Sequence, residues 1–175
     1  GMISPLGLDV HSTWQSILDG KSGVRRITAF DPTDFLTQIA SEVKGFDPNN
    51  YMDRKEARHT DRFSQLAIAA SQEALNQANL TIDKSNTDDI VAVVGSELGG
   101  IITLSEQLNV LNEKGPSRVN PFLIPMMLTD LAAGQISIKL GIHGPNFATV
   151  SACSSSSDAI GTAYEMIKRG DFHTA

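Results

Sequence analysis

Two short apolar runs, each followed by small residues and then by a helical pattern, constrain the fold of this chain most strongly. The first, "DIVAVVG" (89–95), ends in the glycine-bearing turn "GSELGG", and apolar residues then recur at helical spacing over residues 101–111. The second, "NFATVSA" (146–152), leads directly into a helical pattern at about residues 154–169. Strands rich in β-branched and apolar residues that alternate with helices predict a layered α/β fold.

The rest of the chain predicts further helices and one irregular region. Residues 60–78 carry apolar side chains at helical spacing, and a shorter helix is expected near residues 12–20, where it ends at a glycine. Residues 125–141 begin with proline and end with glycine, which predicts one continuous helix. Residues 27–53 contain two prolines and predict a loop with a short strand. No repeat, low-complexity tract or linker divides the chain, so a single domain over residues 1–175 is expected.

Cys153, the only cysteine of the chain, falls at the predicted junction between a strand and a helix. A helix N-terminus carries a partial positive charge and free N–H groups, which stabilise a thiolate and an oxyanion. The small residues Ser151, Ala152 and 154–157 leave room for a ligand to approach the sulfur. The position favours a nucleophile. The pattern is equally typical of a small buried cysteine beside serines that cap a helix.

Composition and charge argue against several classes of function. The net charge of −6 and the pI of about 5.1 argue against a nucleic-acid partner. No apolar run approaches the roughly 20 residues of a membrane span, and the N-terminal residues lack the features of a signal peptide. A single cysteine fits a reducing compartment, so a cytoplasmic location is expected. "GMISPLG" reads as the turn after a missing strand and "RGDFHTA" stops just after a helix, which predicts a fragment.

The segment around the cysteine resembles the nucleophile segment of the β-ketoacyl synthases, the thiolase-like condensing enzymes of fatty-acid and polyketide synthesis. The similarity lies in "VSACSSSSDAIG" and in the preceding "GIHGPNFAT". It extends along the chain through "GMISPLG", "STWQSILDGKSGV", "DRKEAR", "VVGSELGG" and "NPFLIPMMLTDLAAGQISIKLGIHGPN", which resemble the synthase II type of 3-oxoacyl-[acyl carrier protein] synthases. The resemblance implies the N-terminal half of a thiolase-like, layered α/β/α/β/α fold over residues 1–175, incomplete at both ends.

The resemblance implies an acyltransferase that performs a decarboxylative Claisen condensation. An acyl group passes from an acyl carrier protein to Cys153, and the enolate formed from malonyl-carrier protein then attacks this thioester. Cys153 is the implied nucleophile, and its backbone N–H is one implied oxyanion donor. The family's catalytic histidines and lysine lie in its C-terminal half, and none of His11, His59, His143 and His173 matches them. The chain alone is therefore expected to be inactive in condensation, and neither a metal nor a cofactor is implied.

The resemblance implies that Leu98, Ile124 and Ala152 line the acyl pocket, with Ile124 at a position that reaches the partner subunit's pocket across the family's dimer interface. Judged from the local sequence alone, Leu98 fits packing under a turn and Ile124 fits an ordinary core position. Glu97 stands where the family usually has a small residue, which leaves the depth of the pocket open. Ser156 stands where the synthase II type has glycine, and this departure is closer to polyketide-type synthases, which remain an alternative.

The resemblance also implies an acidic acyl carrier protein as partner, bound by Lys55, Arg58 and Arg118. A basic patch on an acidic chain suits such a partner, because the local field outweighs net charge at contact. A solvated, salt-bridged helix start is the competing interpretation. Family members pair through the strand before the cysteine, so a homodimer is expected for the full-length protein.

Three other classes of function compete with a condensing enzyme. A cysteine hydrolase would need a histidine partner segment, and none is recognisable. The chain-length partners of polyketide synthases lack the nucleophile, so Cys153 argues against that class. A non-condensing, acyl-binding or scaffold relative remains open for a truncated chain.

Overall fold

A computed structural model describes residues 1–175 and confirms the predicted α/β class, with seven α-helices and four short strands. The helices are α1 (Val10–Leu18), α2 (Arg54–Arg58), α3 (Arg62–Ala78), α4 (Ile101–Lys114), α5 (Leu123–Met127), α6 (Leu131–Leu140) and α7 (Ser155–Arg169). The strands are β1 (Val24–Arg26), β2 (Ile39–Ser41), β3 (Ala92–Gly95) and β4 (Asn146–Thr149). None of the helices combines the length and the apolar character that a membrane span requires.

Residues 1–47 and 69–79 form one compact unit. Within it, β1 and β2 pair antiparallel, as the prediction of a largely irregular region with a short strand allowed. The N-terminal segment is fastened to α3 through the carboxylate of Glu73. This carboxylate accepts hydrogen bonds from the Met2 N–H at 2.7 Å and from the Val10 N–H at 2.8 Å. One acidic side chain therefore satisfies a free N–H at the start of α1 as well as one near the chain start.

Residues 48–68 and 80–175 form the second compact unit, built on a parallel pair of strands. β3 pairs with β4 in a register that ends at Gly95 opposite Thr149. Parallel strands need a long crossover, and α4, α5 and α6 supply it here. Successive residues of a strand face opposite sides of the sheet. Ala92 and Val94 therefore pack into an apolar cluster with α6, whereas Gly95 faces the start of α7.

The core of this second unit is an apolar cluster centred on α6 and β3. Its buried members are Met52, Ile68, Ile90, Ala92, Ala133, Ile136 and Ile142. The alanines let α6 approach the strands closely, and the isoleucines supply most of the apolar area. Burying a side chain of that size stabilises the fold by about 1.5–3 kcal/mol.

The prediction of a single helix over residues 125–141 is wrong, because the structure has two helices there. α5 ends at Met127, and Leu128 adopts an extended conformation with φ −68° and ψ 136° before α6 begins. Pro125 lies inside α5 rather than at the start of a helix. The break frees the Met127 carbonyl, which accepts a hydrogen bond from the Gly100 N–H at 3.0 Å. In a continuous α-helix this carbonyl would accept the N–H four residues further on. The hydrogen bond with Gly100, in the turn after β3, takes the place of that helical bond.

Candidate active site

The turns that follow β3 and β4 lie at the same edge of the strand pair. Both strands run in the same direction and end level with each other, with Gly95 opposite Thr149. The pairing continues one residue further, because the Ser96 N–H donates to the Thr149 carbonyl at 3.3 Å. Residues that follow parallel strands meet at their carboxyl ends, where α/β proteins commonly place their sites.

Cys153 lies in the turn after β4, which we call the nucleophile turn (150–154). Ala152–Ser154 form a 3-10 turn, and α7 begins at Ser155. The Cys153 side chain is exposed and forms no disulfide. The alternative of a small buried cysteine is therefore wrong. The predicted junction of strand and helix is confirmed, with a short 3-10 turn inserted between the two.

Serine side chains hold the nucleophile turn against the start of α7. The Ser151 N–H donates to the Ser155 Oγ at 2.9 Å, and this hydroxyl donates to the Ala152 carbonyl at 2.8 Å. The Ser154 Oγ donates to the Ser151 carbonyl at 2.7 Å. Ser155 is buried. The serines thus fix the turn itself, and no side-chain capping bond from Ser154 to the helix is present.

The backbone at Ala152 is in the left-handed region, with φ +52°. This region is disfavoured for residues with a Cβ, and such a conformation persists only where surrounding contacts hold it. A sharp turn between strand and helix projects the next side chain away from the strand edge, as in other nucleophile-bearing turns. The backbone N–H of Cys153 has no hydrogen-bond acceptor in the structure.

Two acidic side chains contact the nucleophile turn, and the sequence interpretation predicted neither contact. The Glu97 Oε2 accepts from the Ala152 N–H at 2.7 Å. The Asp158 carboxylate accepts from the Ser151 hydroxyl. Asp158 has a sequence signal, since an acidic residue in the first turn of a helix is favoured by the helix dipole. Glu97 has none, because its contact depends on the pairing of β3 with β4.

The three histidines in the same compact unit as Cys153 contact other side chains. The His59 ring stacks on Phe122, His143 lies 3.4 Å from a carboxylate oxygen of Asp88, and His173 contacts the carboxylate of Asp89. The structure also contains no group of three or more side chains suited to hold a metal ion. The groups that these residues bring to Cys153 are the thiol itself, its unpaired N–H and the first turn of α7.

Leu98, Ile124 and Ala152 are all exposed, and their shared acyl pocket stays a prediction. An open groove does run beside the nucleophile turn, along α7. It is lined by Thr149, Val150, Ser157, Asp158, Gly161, Thr162, Glu165 and Arg169. The groove therefore includes none of the three predicted pocket residues.

The basic residues Lys55, Arg58 and Arg118 are exposed and form no ion pair. Lys55 and Arg58 lie on α2, and Arg118 ends a 3-10 turn over Pro116–Arg118. These two segments are connected by a ring contact: His59, which follows α2, stacks on a phenylalanine four residues beyond Arg118. Their formation of one patch at the mouth of a channel stays a prediction.

The helix that carries Lys55 and Arg58 is fixed by a capping box. The Asp53 carboxylate accepts from the N–H groups of Lys55 and Glu56 at 2.8 Å each. The hydrogen bond from the Glu56 N–H is the largest of the causes that lower the pKa of Asp53 below its ordinary value of 3.8. Glu56 also binds Lys139 of α6 at 2.7 Å. The carboxylates of Asp53 and Glu56 are thus bound by N–H groups and by Lys139, whereas Lys55 and Arg58 of the same helix are exposed to solvent.

Comparison with known proteins agrees with this geometry. Residues 1–175 match the family described as "Beta-ketoacyl synthase, N-terminal domain". A curated relative, 3-oxoacyl-[acyl-carrier-protein] synthase 2 from Synechocystis sp., is 43% identical over 170 residues, which cover 97% of this chain and 41% of the relative. The chain thus spans about two fifths of the length of the curated relatives it matches.

Two solved structures share the fold. The ishigamide ketosynthase/chain length factor is 26% identical, with a TM-score of 0.87 over 98% of this chain and 43% of that one. A β-ketoacyl synthase from Burkholderia phymatum STM815 is 29% identical, with a TM-score of 0.81 over 97% of this chain and 42% of that one.

Proposed function

The chain belongs to the β-ketoacyl synthase family, whose N-terminal domain it matches over its whole length, and on that premise we propose that Cys153 is its acyl-accepting nucleophile. In the whole protein, the acyl group then undergoes decarboxylative condensation with malonyl-acyl carrier protein in fatty-acid elongation. The curated relative's name, 3-oxoacyl-[acyl-carrier-protein] synthase 2, supports this reaction.

The observation that carries the proposal is an exposed thiol beside an unpaired N–H at the start of a helix. The Cys153 thiolate attacks the carbonyl carbon of an acyl thioester and forms a tetrahedral oxyanion. The Cys153 N–H donates to that oxygen, and the first turn of α7 adds its positive field. The carbon–sulfur bond to the carrier then breaks, and the carrier thiolate leaves and takes up a proton. Cys153 retains the acyl group as a thioester.

The condensation step requires groups that these residues do not bring to Cys153. Malonyl-carrier protein must lose carbon dioxide, and the resulting enolate carbon must attack the Cys153 thioester, which releases the thiolate. The resemblance assigns the decarboxylation to histidines and a lysine of the family's C-terminal half. His59, His143 and His173 contact side chains other than Cys153. These 175 residues therefore supply acylation, and the remainder of the protein supplies decarboxylation.

Acyl carrier protein is the proposed partner, with Lys55, Arg58 and Arg118 as its docking cations and Leu98, Ile124 and Ala152 as the lining of the acyl pocket. The free outer edge of β4 supports a homodimer in the whole protein, because β4 pairs only with β3 within the chain. A cytoplasmic location belongs to the same proposal.

Mass spectrometry of the protein tests the nucleophile directly. Incubation with acyl-carrier protein should add one acyl mass to the peptide that contains Cys153, and hydroxylamine should remove it. The Cys153→Ala variant should remain unmodified. Stable acylation of another residue, or equal acylation of the alanine variant, would overturn the assignment.

A polyketide-type synthase is the second candidate, and Ser156 favours it. The synthase II type has glycine at this position, and the likeness to the ishigamide ketosynthase/chain length factor points the same way. A comparison of acyl donors separates the two functions. A fatty-acid synthase should acylate Cys153 faster from a saturated acyl-carrier protein, whereas a polyketide synthase should prefer a 3-oxoacyl donor of equal length.

A further inference from the structure

Glu97 and the nucleophile turn are brought together by the pairing of two strands. Glu97 lies two residues beyond β3, and Ala152 lies three residues beyond β4. Nothing separates the two turns at this edge: a Cβ added to Gly95 would lie 2.3 Å from the Ser155 carbonyl oxygen. The glycine therefore allows the end of β3 to lie directly against the first residue of α7. This close approach places the Glu97 side chain within reach of Ala152.

The contacts of the nucleophile turn divide into two sets. Side chains from α7 and from the turn itself hold Ser151 and the Ala152 carbonyl, through Ser155 and Asp158. The Ala152 N–H is held by a different part of the chain, the Glu97 carboxylate at 2.7 Å. That N–H belongs to the residue with φ +52°.

We propose that Glu97 is a positioning residue, whose carboxylate holds the Ala152 amide and thereby fixes the direction of the Cys153 thiol and N–H. The inference rests on the proposed function, because it assigns a geometric role relative to Cys153 as nucleophile. A left-handed conformation at an alanine relaxes unless its neighbours hold it. Loss of the acceptor allows the Ala152 peptide to rotate, which moves both the sulfur and the oxyanion donor that follow it.

Acyl transfer depends on this geometry more than simple alkylation does. Acyl transfer needs the sulfur and the Cys153 N–H to act on one carbonyl group at the same time. Alkylation by iodoacetamide needs only an accessible thiolate. Loss of a positioning residue should therefore slow acyl transfer and leave the alkylation rate within a small factor of wild type, whereas general loss of structure or access should change both rates.

Three substitutions distinguish the hydrogen-bond acceptor that Glu97 provides from the charge and the length of its side chain. Glu97→Gln keeps a side-chain oxygen at the same reach and removes the charge. Glu97→Asp keeps the charge and shortens the side chain. Glu97→Ala removes both. Glu106→Ala, an exposed glutamate on α4 with no ion pair, is the matched control.

The test measures the rate at which a small acyl thioester acylates Cys153 in the whole protein, at several thioester concentrations. We expect Glu97→Ala and Glu97→Asp to lower the maximal acylation rate by about tenfold, which corresponds to one charge-assisted hydrogen bond. The half-saturating thioester concentration should change little. Glu97→Gln should stay within about threefold of wild type, and Glu106→Ala should match wild type.

The outcomes distinguish this inference from the proposed function. Equal acylation rates in wild type, Glu97→Ala and Glu97→Asp overturn the positioning role, as does a Glu97→Gln variant that is as slow as Glu97→Ala. If Glu97→Ala does not fold, Glu97→Asp against Glu97→Gln decides the question. Absence of acylation in wild type, with normal alkylation of Cys153, overturns the proposed function itself.

Discussion

The imidazole ring of His59 lies flat against the phenyl ring of Phe122, with centroids 3.7 Å apart and ring planes inclined by 11°. His59 directly follows α2, and Phe122 directly precedes α5. The contact therefore connects the helix of the proposed carrier-binding cations with the helix that carries Ile124 of the proposed acyl pocket. Two regions that are proposed to serve successive steps of acyl delivery therefore contact each other through this pair of rings.

A double-mutant cycle measures the strength of this ring contact. His59→Ala and Phe122→Ala should each lower the free energy of unfolding in urea. The double variant should lose about 0.5–1.5 kcal/mol less than the sum of the single losses, because a stacked pair contributes roughly that amount beyond area burial. The control pairs Phe122→Ala with His143→Ala, which should be additive. Additivity in the test pair would mean that the stack contributes nothing to stability.

The close approach of Gly95 to α7 gives the second prediction. A Cβ at Gly95 would lie 2.3 Å from the Ser155 carbonyl oxygen and 2.5 Å from the Ser156 Cα, and both atoms are backbone. Gly95→Ala should therefore shift the start of α7, lower the free energy of unfolding by about 1–3 kcal/mol or more, and slow acylation of Cys153. Unfolding in urea and the acylation assay measure the two effects.

Gly161 offers a matched control on α7 for the same change. A Cβ added there has no neighbour within 4 Å. Gly161→Ala should therefore raise the free energy of unfolding by about 0.5–1 kcal/mol, because alanine replaces glycine inside a helix. A Gly95→Ala variant as stable and as active as Gly161→Ala would contradict the tight packing described here.

The capping box of α2 gives a prediction about pH. The pKa of Asp53 is lowered from its ordinary value of 3.8, chiefly by the hydrogen bond from the Glu56 N–H. A lowered pKa in the folded state means that the carboxylate stabilises the fold above that ordinary value, and that this contribution is lost as the pH falls through the lowered pKa. The melting temperature of wild type should thus exceed that of Asp53→Ala near neutral pH, and the difference should shrink on acidification.

Asp53→Asn is the informative comparison for the pH dependence. Its amide oxygen can still accept the N–H groups at the start of α2, and it does not titrate. Its melting temperature should therefore exceed that of Asp53→Ala by a margin that hardly depends on pH. A wild-type advantage over Asp53→Ala that stays constant down to about pH 2 would exclude the carboxylate as its source.

Periodicity and turn residues were sufficient to predict α1, α3, α4 and α7 and the position of Cys153 between a strand and a helix. α3, α4 and α7 follow from apolar spacing alone, and the strand patterns located β3 and β4. These signals are local, because each arises from residues within a few turns of one another.

The features that depend on contacts distant in the sequence could not be predicted. The helix break at Leu128 reflects a carbonyl used by the Gly100 N–H, and the Glu97 contact reflects the register of β3 against β4. The left-handed Ala152 also has no local signal, since alanine rarely adopts this conformation. The proposed nucleophile was therefore visible in the sequence, whereas the hydrogen bond from the Ala152 N–H to Glu97 was not.

The last prediction concerns docking of the carrier protein. Lys55 and Arg58 are exposed on α2 and form no salt bridge. Each such contact contributes about 0.2–1 kcal/mol, because water and salt screen it. The double variant Lys55→Glu/Arg58→Glu replaces attraction by repulsion and should raise the KM for acyl-carrier protein several-fold. Acylation from a small acyl thioester should be almost unchanged, since the chemistry at Cys153 is untouched.

The variant Arg25→Glu/Lys84→Glu, with the same change in net charge at exposed residues, should behave as wild type with both donors. Added salt should weaken carrier-dependent acylation more in wild type than in Lys55→Glu/Arg58→Glu, and an equal loss with both donors would withdraw the docking role from α2.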